Sequence, residues 1–437
     1  MDQNIPGLYY EYGKYVNESR QFPLSIDGLR PVERRVLLTS YLIARNKFVK
    51  SARIDGDTIG HYHPHGSIYG TLVQMVNQGF VQGQGNFGSN VGCDVSPPAA
   101  SRYTEVRLKE KMINLCFKNI NHVNWEMNDL GEKEPDYLPS MFPLCLLGND
   151  YTQGIGFGYK TFIPCYQIKN LIKRLFWLIG KVKTEPIIKP ISNCKITSTN
   201  KELKELLSTG KAKINLSGII VESPRNHTVF LKSWPQGRKF ETFLSKFSKE
   251  LDNQDISWID LSSTETNIRF EVLKQRNKDL IYTEFVKKLK KVIKGSVSFE
   301  TIVVDSNDRK VKLKSIDYLL LESYNSYKVL ESKVLLLNIN KLQEDIDELK
   351  LLETIKPYLA EVLKPKIDVI KAIKFISSKT NIKIEKIKYL FSKYKIQKLL
   401  TMSFDNSKLI DEQNKHKNNL KNIEKFVLDQ YVSFVKR

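Results

Sequence analysis

Asp27-Gly28-Leu29-Arg30-Pro31-Val32-Glu33-Arg34-Arg35-Val36-Leu37 is the stretch from which the fold is read. A glycine-containing turn runs into a helix whose first position is Pro31, where a missing N–H costs nothing and the fixed φ is already helical. Arg34 and Arg35 then fall in the first turns of that helix, where backbone amides and guanidinium groups together favour a phosphate. Apolar spacing carries this helix over Pro31–Arg45 and predicts two more over Ser51–Gly60 and Ser67–Asn77. A glycine-rich stretch follows, so residues 1–145 read as an N-terminal arm and a winged-helix domain.

Residues 146–312 mix alternating apolar stretches, such as Lys213–Val221 and Thr228–Leu231, with short helical ones, which reads as an α+β domain. From Ser315 to Leu352 the apolar residues keep steps of three, four or seven on a charged background, the pattern of a long helix with an apolar seam. Lys356-Pro357 and Lys364-Pro365 are expected to interrupt it, with short Lys-rich helices to Leu400 and a second long pattern from Leu409 to Phe434. An antiparallel coiled coil over 313–437 with a small helical globule at 357–404 accounts for this order. The expected fold class is thus multi-domain α+β, with no further C-terminal domain.

Lys and Arg number 69 against 48 Asp and Glu, and the resulting +21 points to a polyanionic partner. No run of about 18 apolar residues and no signal peptide is legible, so a membrane partner is not expected and a cytoplasmic location is. The five cysteines are widely spaced and contain no Cys-x-x-Cys, which argues against both a disulfide framework and a zinc site.

Ala99-Ala100-Ser101-Arg102-Tyr103-Thr104-Glu105 sets an arginine directly before a tyrosine. A phenol with a pKa near 10 is a poor nucleophile unless cations stabilise its phenolate and the phosphate it attacks. Arg102 supplies one such charge, although alone the pair reads more readily as a surface tyrosine beside an arginine. Lys50–Gly66 concentrates His61, His63 and His65 ahead of a helix, but their broken spacing is not that of a metal site. Asp55-Gly56-Asp57 reads as a capping turn rather than a metal-binding Asp-x-Asp. Gly83-Gln84-Gly85-Asn86-Phe87-Gly88 matches G-x-G-x-x-G, yet no apolar strand leads in and no helix can open after it, so a glycine-rich loop is expected instead of a dinucleotide site. Lys287–Lys294 is a basic helical stretch with an apolar stripe, readable as a solvated face or as a contact to a polyanion.

The order of these motifs, DGLRPVERRVL (27–37), KSARIDGDTIGHYHPHG (50–66), GQGNFGS (83–89), AASRYTEVRL (99–108) and GIGFGYKTFIP (154–164), resembles the breakage-reunion subunit of type IIA DNA topoisomerases. It runs from Glu11 to Asn170 and continues more loosely through the long helices. The wording looks most like the branch that supplies the medium subunit of T-even phage enzymes.

The resemblance implies that Tyr103 attacks a backbone phosphate to form a 5′-phosphotyrosyl link. Arg102 and Arg34 would be cations on that phosphate and His65 a hydrogen-bond donor to it. Ile155 would be the apolar wedge that bends the duplex, a role to be weighed against an ordinary core isoleucine. Arg35, Lys50, Arg53, His63, Gln84 and Asn86 are the further candidate DNA contacts. Mg²⁺ and ATP would be held by a separate ATPase/Toprim partner, with this chain a homodimer that relaxes and decatenates double-stranded DNA. His61 stands where gyrase-like sequences have lysine, and Gly66–Val73 is shorter and lacks their Ser-acidic pair, so quinolone binding through those residues is not expected. The rival readings are a catalytically silent dimeric winged-helix DNA-binding protein and a tyrosine recombinase, whose adduct would carry the 3′-phosphate.

Overall fold

The computed structural model describes residues 5–89, 91–93, 96–235, 240–253, 255–273, 276–362, 369–394, 399 and 405–436. They form a mixed α+β chain with several small antiparallel sheets and two compact units, Met1–Tyr327 with Tyr431–Arg437, and Lys328–Gln430.

The first unit opens with helix α1 (Ile5–Val16), followed by α2 (Pro31–Ile43), a two-residue strand β1 (Val49–Lys50), α3 (Ser51–His61), α4 (Tyr69–Asn77), β2 (Val81–Gln84) and β3 (Glu105–Leu108). The three helices α2–α4 lie within two residues of the expected bounds. Pro31 is the first residue of α2, and Glu33 closes the helix start by accepting the Arg30 backbone N–H at 2.8 Å. The preceding turn needs Gly28: its φ is +68°, and a Cβ there would stand 2.6 Å from the backbone nitrogens of Leu144 and Cys145. Strands β1, β3 and β2 pair in that order, with β3 central.

A short helix α5 (Glu110–Cys116) leads to a hairpin of β4 (Trp125–Met127) and β5 (Lys133–Pro135). Next come β6 (Tyr151–Ile155), β7 (Lys160–Pro164), α6 (Ile168–Leu178), β8 (Lys195–Ile196), α7 (Asn200–Thr209), β9 (Lys211–Ser217), β10 (Ile220–Ser223) and β11 (Thr228–Leu231). Helices α8 (Phe240–Leu244) and α9 (Ser248–Asp252) precede β12 (Ile256–Asp260), β13 (Ile268–Val272), α10 (Lys278–Val292), β14 (Lys294–Glu300), β15 (Ile302–Val304) and β16 (Val311–Leu313). Two larger sheets result, ordered β6-β7-β14-β9-β8 and β10-β11-β13-β12. The second packs Val229, Leu231, Phe270 and Val272 against Phe285 and Leu289 of α10, as the alternation of β11 and the stripe of α10 require.

Helix α11 (Ile316–Val362) enters the second unit at Lys328. It runs through Pro357, where the sequence predicts an interruption. Ile355 and Leu359 on either side of the proline are buried with Ile373, Ile376, Ile387 and Leu390 of α12 (Val369–Thr380) and α13 (Ile384–Lys393). That packing offsets the lost hydrogen bond. The Lys364-Pro365 break, and parts of the expected 357–404 globule including Leu400, lie outside the described residues. The closing pattern is two helices, α14 (Ser407–Lys421) and α15 (Ile423–Lys436), split at Asn422. Asp55-Gly56-Asp57 also departs from its expected place, lying inside α3. Its Asp55 caps at a distance, accepting the Ile68 N–H at 2.7 Å and the Ser67 hydroxyl at 2.8 Å ahead of α4.

Candidate functional site

Tyr103 stands in the turn before β3 and is 65% exposed. Its ring gains no fixed place from packing, so the backbone on either side must supply it. Thr104 does this from a fully buried position: its Oγ1 donates to Ser51 Oγ at 2.8 Å and lies 3.0 Å from Tyr69 Oη. Tyr69 Oη donates in turn to the Ala99 carbonyl at 2.6 Å. The first amides of α3, Ser51 N–H and Ala52 N–H, donate to the carbonyls of Thr104 and Ser101 at 2.9 and 3.2 Å. The tyrosine loop therefore takes up the otherwise unpaired donors at the start of α3. Over the exposed ring sits the Arg102 guanidinium, 4.7 Å from the ring centroid, so the expected cation is in contact with the expected nucleophile.

Arg34 and Arg35 diverge, and both are met by carboxylates of the chain itself rather than left open for an anion at the start of α2. Arg34 closes on Asp27 through Nε (2.8 Å) and Nη2 (3.2 Å). Burial lowers its pKa, and Asp27 more than compensates, so the guanidinium is held above its ordinary value. Nη2 also lies 3.5 Å from the Leu29 carbonyl, and the side chain is only 12% exposed. Arg35 makes a two-pronged pair with Glu134 of β5, both bonds 2.7 Å, and its Nη1 lies 3.1 Å from His63 Nδ1.

His63 and His65 pack edge to face with ring centroids 5.0 Å apart. Burial, then Arg35, His65 and Arg20, push the His63 imidazole down to about 4; burial with Arg20 and Arg35 also lowers His65. The tyrosine with its arginine, and the histidines with Arg35, are thus two separate sets of contacts in this chain, and Arg34 belongs with Asp27.

The hairpin that brings Glu134 to Arg35 has no counterpart among the expected elements, although Asn128-Asp129-Leu130-Gly131 between two short alternating runs is a turn signal. Asn128 also donates to the His61 carbonyl at 2.9 Å, and Glu132 lies 3.1 Å from His61 Nδ1.

Ile155 ends β6 at the tip of a hairpin with β7 and is 68% exposed, which excludes the core-isoleucine reading. The tip is gripped by buried Asn17, whose Nδ2 donates to Phe157 O and whose Oδ1 accepts Phe157 N–H, both at 2.8 Å. Gly156 leaves room for that grip, since a Cβ there would fall 2.2 Å from Asn17 Oδ1. Of the remaining candidates, Lys50 pairs with Glu105 at 2.8 Å and Arg53 lies 3.6 Å from Asp57. Gln84 and Asn86 are exposed, Asn86 through its carbonyl holding Ala99 N–H at 3.0 Å. Among the described residues no group of three or more His, Cys, Asp or Glu is placed to hold a metal, and no helix is long and apolar enough to cross a membrane.

Comparison with known proteins places the chain in a family. The family model for the A subunit of DNA gyrase/topoisomerase IV matches residues 20–435. Similar relatives include the A subunit of DNA topoisomerase 4 from Synechocystis, 37% identical over 194 residues, covering 41% of this chain and 20% of that protein. The DNA gyrase A subunit of Haemophilus influenzae is 34% identical over 234 residues, covering 49% and 26%. That of Thermotoga maritima is 29% identical over 337 residues, covering 71% and 41%. The chain therefore spans between a fifth and about two fifths of the length of these relatives.

Proposed function

From a chain that belongs to the family of DNA gyrase/topoisomerase IV A subunits, we propose the DNA-cleaving and rejoining component of an ATP-dependent type II DNA topoisomerase. The observation that carries this reading is the exposed Tyr103 under the Arg102 guanidinium, on a loop bonded to the start of α3. The Tyr103 oxygen attacks a backbone phosphorus and gives up its proton. The 3′ oxygen leaves and takes a proton, and a 5′-phosphotyrosyl ester holds the break. Attack of the 3′-hydroxyl reverses the step, so no ligase cofactor is needed.

Arg102 and Arg34 stabilise charge on the phosphate, with His65 donating to it. Ile155, exposed between Gly154 and Gly156, enters the base stack and bends the duplex. Arg35, Lys50, Arg53, His63, Gln84 and Asn86 border the DNA. Mg²⁺, which would polarise the reacting phosphate, and ATP belong to a separate ATPase/Toprim partner. Two such partners flank a homodimer of this chain. The division into a winged-helix domain (1–145), tower (146–312) and coiled coil with dimerisation globule (313–437), the phage medium-subunit type and a host cytoplasm complete the proposal.

The test mixes this chain with its candidate partner, Mg²⁺ and end-labelled duplex, then denatures with detergent. A 5′-linked adduct in the wild type, lost in Tyr103→Phe, is the expected result. No adduct despite assembly and DNA binding favours a silent DNA-binding protein, and a 3′-linked adduct favours a recombinase.

A further inference from the structure

The bonds around His63 dictate which of its nitrogens carries the proton. A guanidinium donates and never accepts, so at the 3.1 Å contact with Arg35 Nη1 the Nδ1 atom of His63 is the acceptor. The neutral ring then carries its proton on Nε2. Arg35 has little freedom to turn, because Nε and Nη2 are each held at 2.7 Å by the two oxygens of Glu134. This planar fork fixes the guanidinium in one plane. Glu134 is itself placed by the β4–β5 hairpin, which is bonded to the end of α3 through Asn128 and Glu132. Arg20, Arg35, His63 and His65 line one small cleft of about 80 Å³ together with Asn128 and Asp129.

We propose that Glu134 and Arg35 are positioning residues that hold His63 as a neutral Nε2–H donor in a cleft for a DNA phosphodiester. That the anion is DNA phosphate rests on the topoisomerase reading above.

The groups facing His63 are Arg35 of α2, Arg20 from the turn after α1, His65 of its own loop and Glu134 of β5, while Asp129 of the hairpin turn faces His65. Protonating Nδ1 would set it against a guanidinium N–H, and burial adds to the cost, which is why the ring stays neutral down to about pH 4. A phosphodiester has acceptor oxygens and no proton to give. A cleft lined by a fixed imidazole donor and arginine donors matches it, whereas a ring free to present a bare nitrogen would repel it.

The chain contains six histidines, so histidine-selective isotope labelling of the full-length protein gives six ring systems to follow by NMR. In the wild type His63 should show the Nε2–H tautomer and no titration above pH 5, and a short duplex should shift the His63 and His65 ring signals. Arg35→Gln should raise the His63 titration by at least one pH unit and weaken the duplex-induced shift about tenfold, the loss of one charged hydrogen bond. Glu134→Gln, which keeps the shape and loses the charge, loosens the fork and should weaken the duplex-induced shift by less; because Glu134 raises the His63 pKa, this variant should lower the titration rather than raise it. Arg35→Lys, a donor without the fork, should restore part of the tautomer preference.

With the ATPase/Toprim partner present, adduct formation by Arg35→Gln should acquire an acid limb between pH 5 and 7 that the wild type lacks. The proposal is overturned if wild-type His63 titrates near 6.5, if its tautomer is Nδ1–H, if bound duplex shifts neither ring, or if Arg35→Gln leaves the His63 titration unchanged. A wild type that shows the tautomer and the duplex shifts but forms no adduct overturns the cleavage reading and leaves the phosphate cleft standing.

Discussion

Replacing Asp27 with alanine removes the acceptor on which Arg34 closes. The carboxylate is fully buried and takes four hydrogen bonds: Arg34 Nε at 2.8 Å, Arg34 Nη2 at 3.2 Å, Leu29 N–H at 3.1 Å and Leu138 N–H at 3.0 Å. The Arg34 side chain is only 12% exposed, so its charge would be left without a partner or ready access to water. Breaking a buried pair in this way costs about 3–5 kcal/mol. The two orphaned amides add about 1 kcal/mol each. Members of one network are not additive, so we expect a loss of roughly 4 kcal/mol rather than the sum.

Against a total of about 5–15 kcal/mol this is severe. At about 2–4 °C per kcal/mol the thermal midpoint, read by circular dichroism, should fall by roughly 8–16 °C. Arg34→Met in the Asp27→Ala background deletes the stranded charge and should recover about half of the loss. A loss below about 1 kcal/mol would mean that Arg34 finds water by another rotamer and the pair behaves as a surface bridge. That result, or a double mutant no more stable than Asp27→Ala, refutes the reasoning.

Gly156→Ala puts a Cβ against Asn17 and the Phe22 ring, at a cost of about 1–3 kcal/mol locally. It should reduce DNA bending, measured by energy transfer across a labelled duplex, as strongly as Ile155→Ala does; unchanged bending would dissociate the Asn17 grip from the wedge. Lys288 and Lys290 are paired with Glu250 and Glu222, so any DNA contact by this basic stretch falls to exposed Lys287 and Lys291 of α10 and Lys294 at the start of β14. Changing those three to Gln should lower the slope of log affinity against log salt by about 3, and an unaltered slope would make them a solvated face. The depressed His63 pKa means the unfolded chain binds more protons than the folded one between pH 6.5 and about 4, so stability falls as pH drops through that window and not further below it. After allowance for solvent screening the loss is on the order of 1–2 kcal/mol. Urea midpoints at pH 7.5 and 4.5 should differ less in His63→Gln, and an identical difference would count against the shift.

What the sequence made legible was local. Pro31 after a Gly28 turn, the helices α2–α4 and the Arg102-Tyr103 step depend on residues a few positions apart, and the structure has them as read. What it hid was long-range partnership. Glu134 reaches Arg35 across 99 positions and Asn17 reaches Phe157 across 140, and neither pairing leaves a periodic trace. Pro357 shows the opposite limit: the proline's local veto on helix was legible, while the burial of Ile355 and Leu359 that overrides it was not. Arg174 is the extreme case, a buried arginine spanning Glu185 and Asp317 that nothing in its own helix signals.

These two kinds of residue divide the labour at the candidate site. Tyr103 and Ile155 are more than half exposed, so neither can be positioned by its own packing; an exposed side chain samples rotamers freely and would meet DNA with no preferred geometry. Their placement instead comes from buried polar neighbours, Thr104 next to the tyrosine and Asn17 against the hairpin tip, each tying the backbone to a different element through fixed hydrogen bonds. Such groups are stable in the interior only when fully paired, so a shift of either loop would leave a buried donor or acceptor unmet. The cost of that mismatch resists displacement, and it allows the side chains proposed as nucleophile and wedge to stay in solvent, where a duplex could reach them, while their backbones remain as constrained as the core.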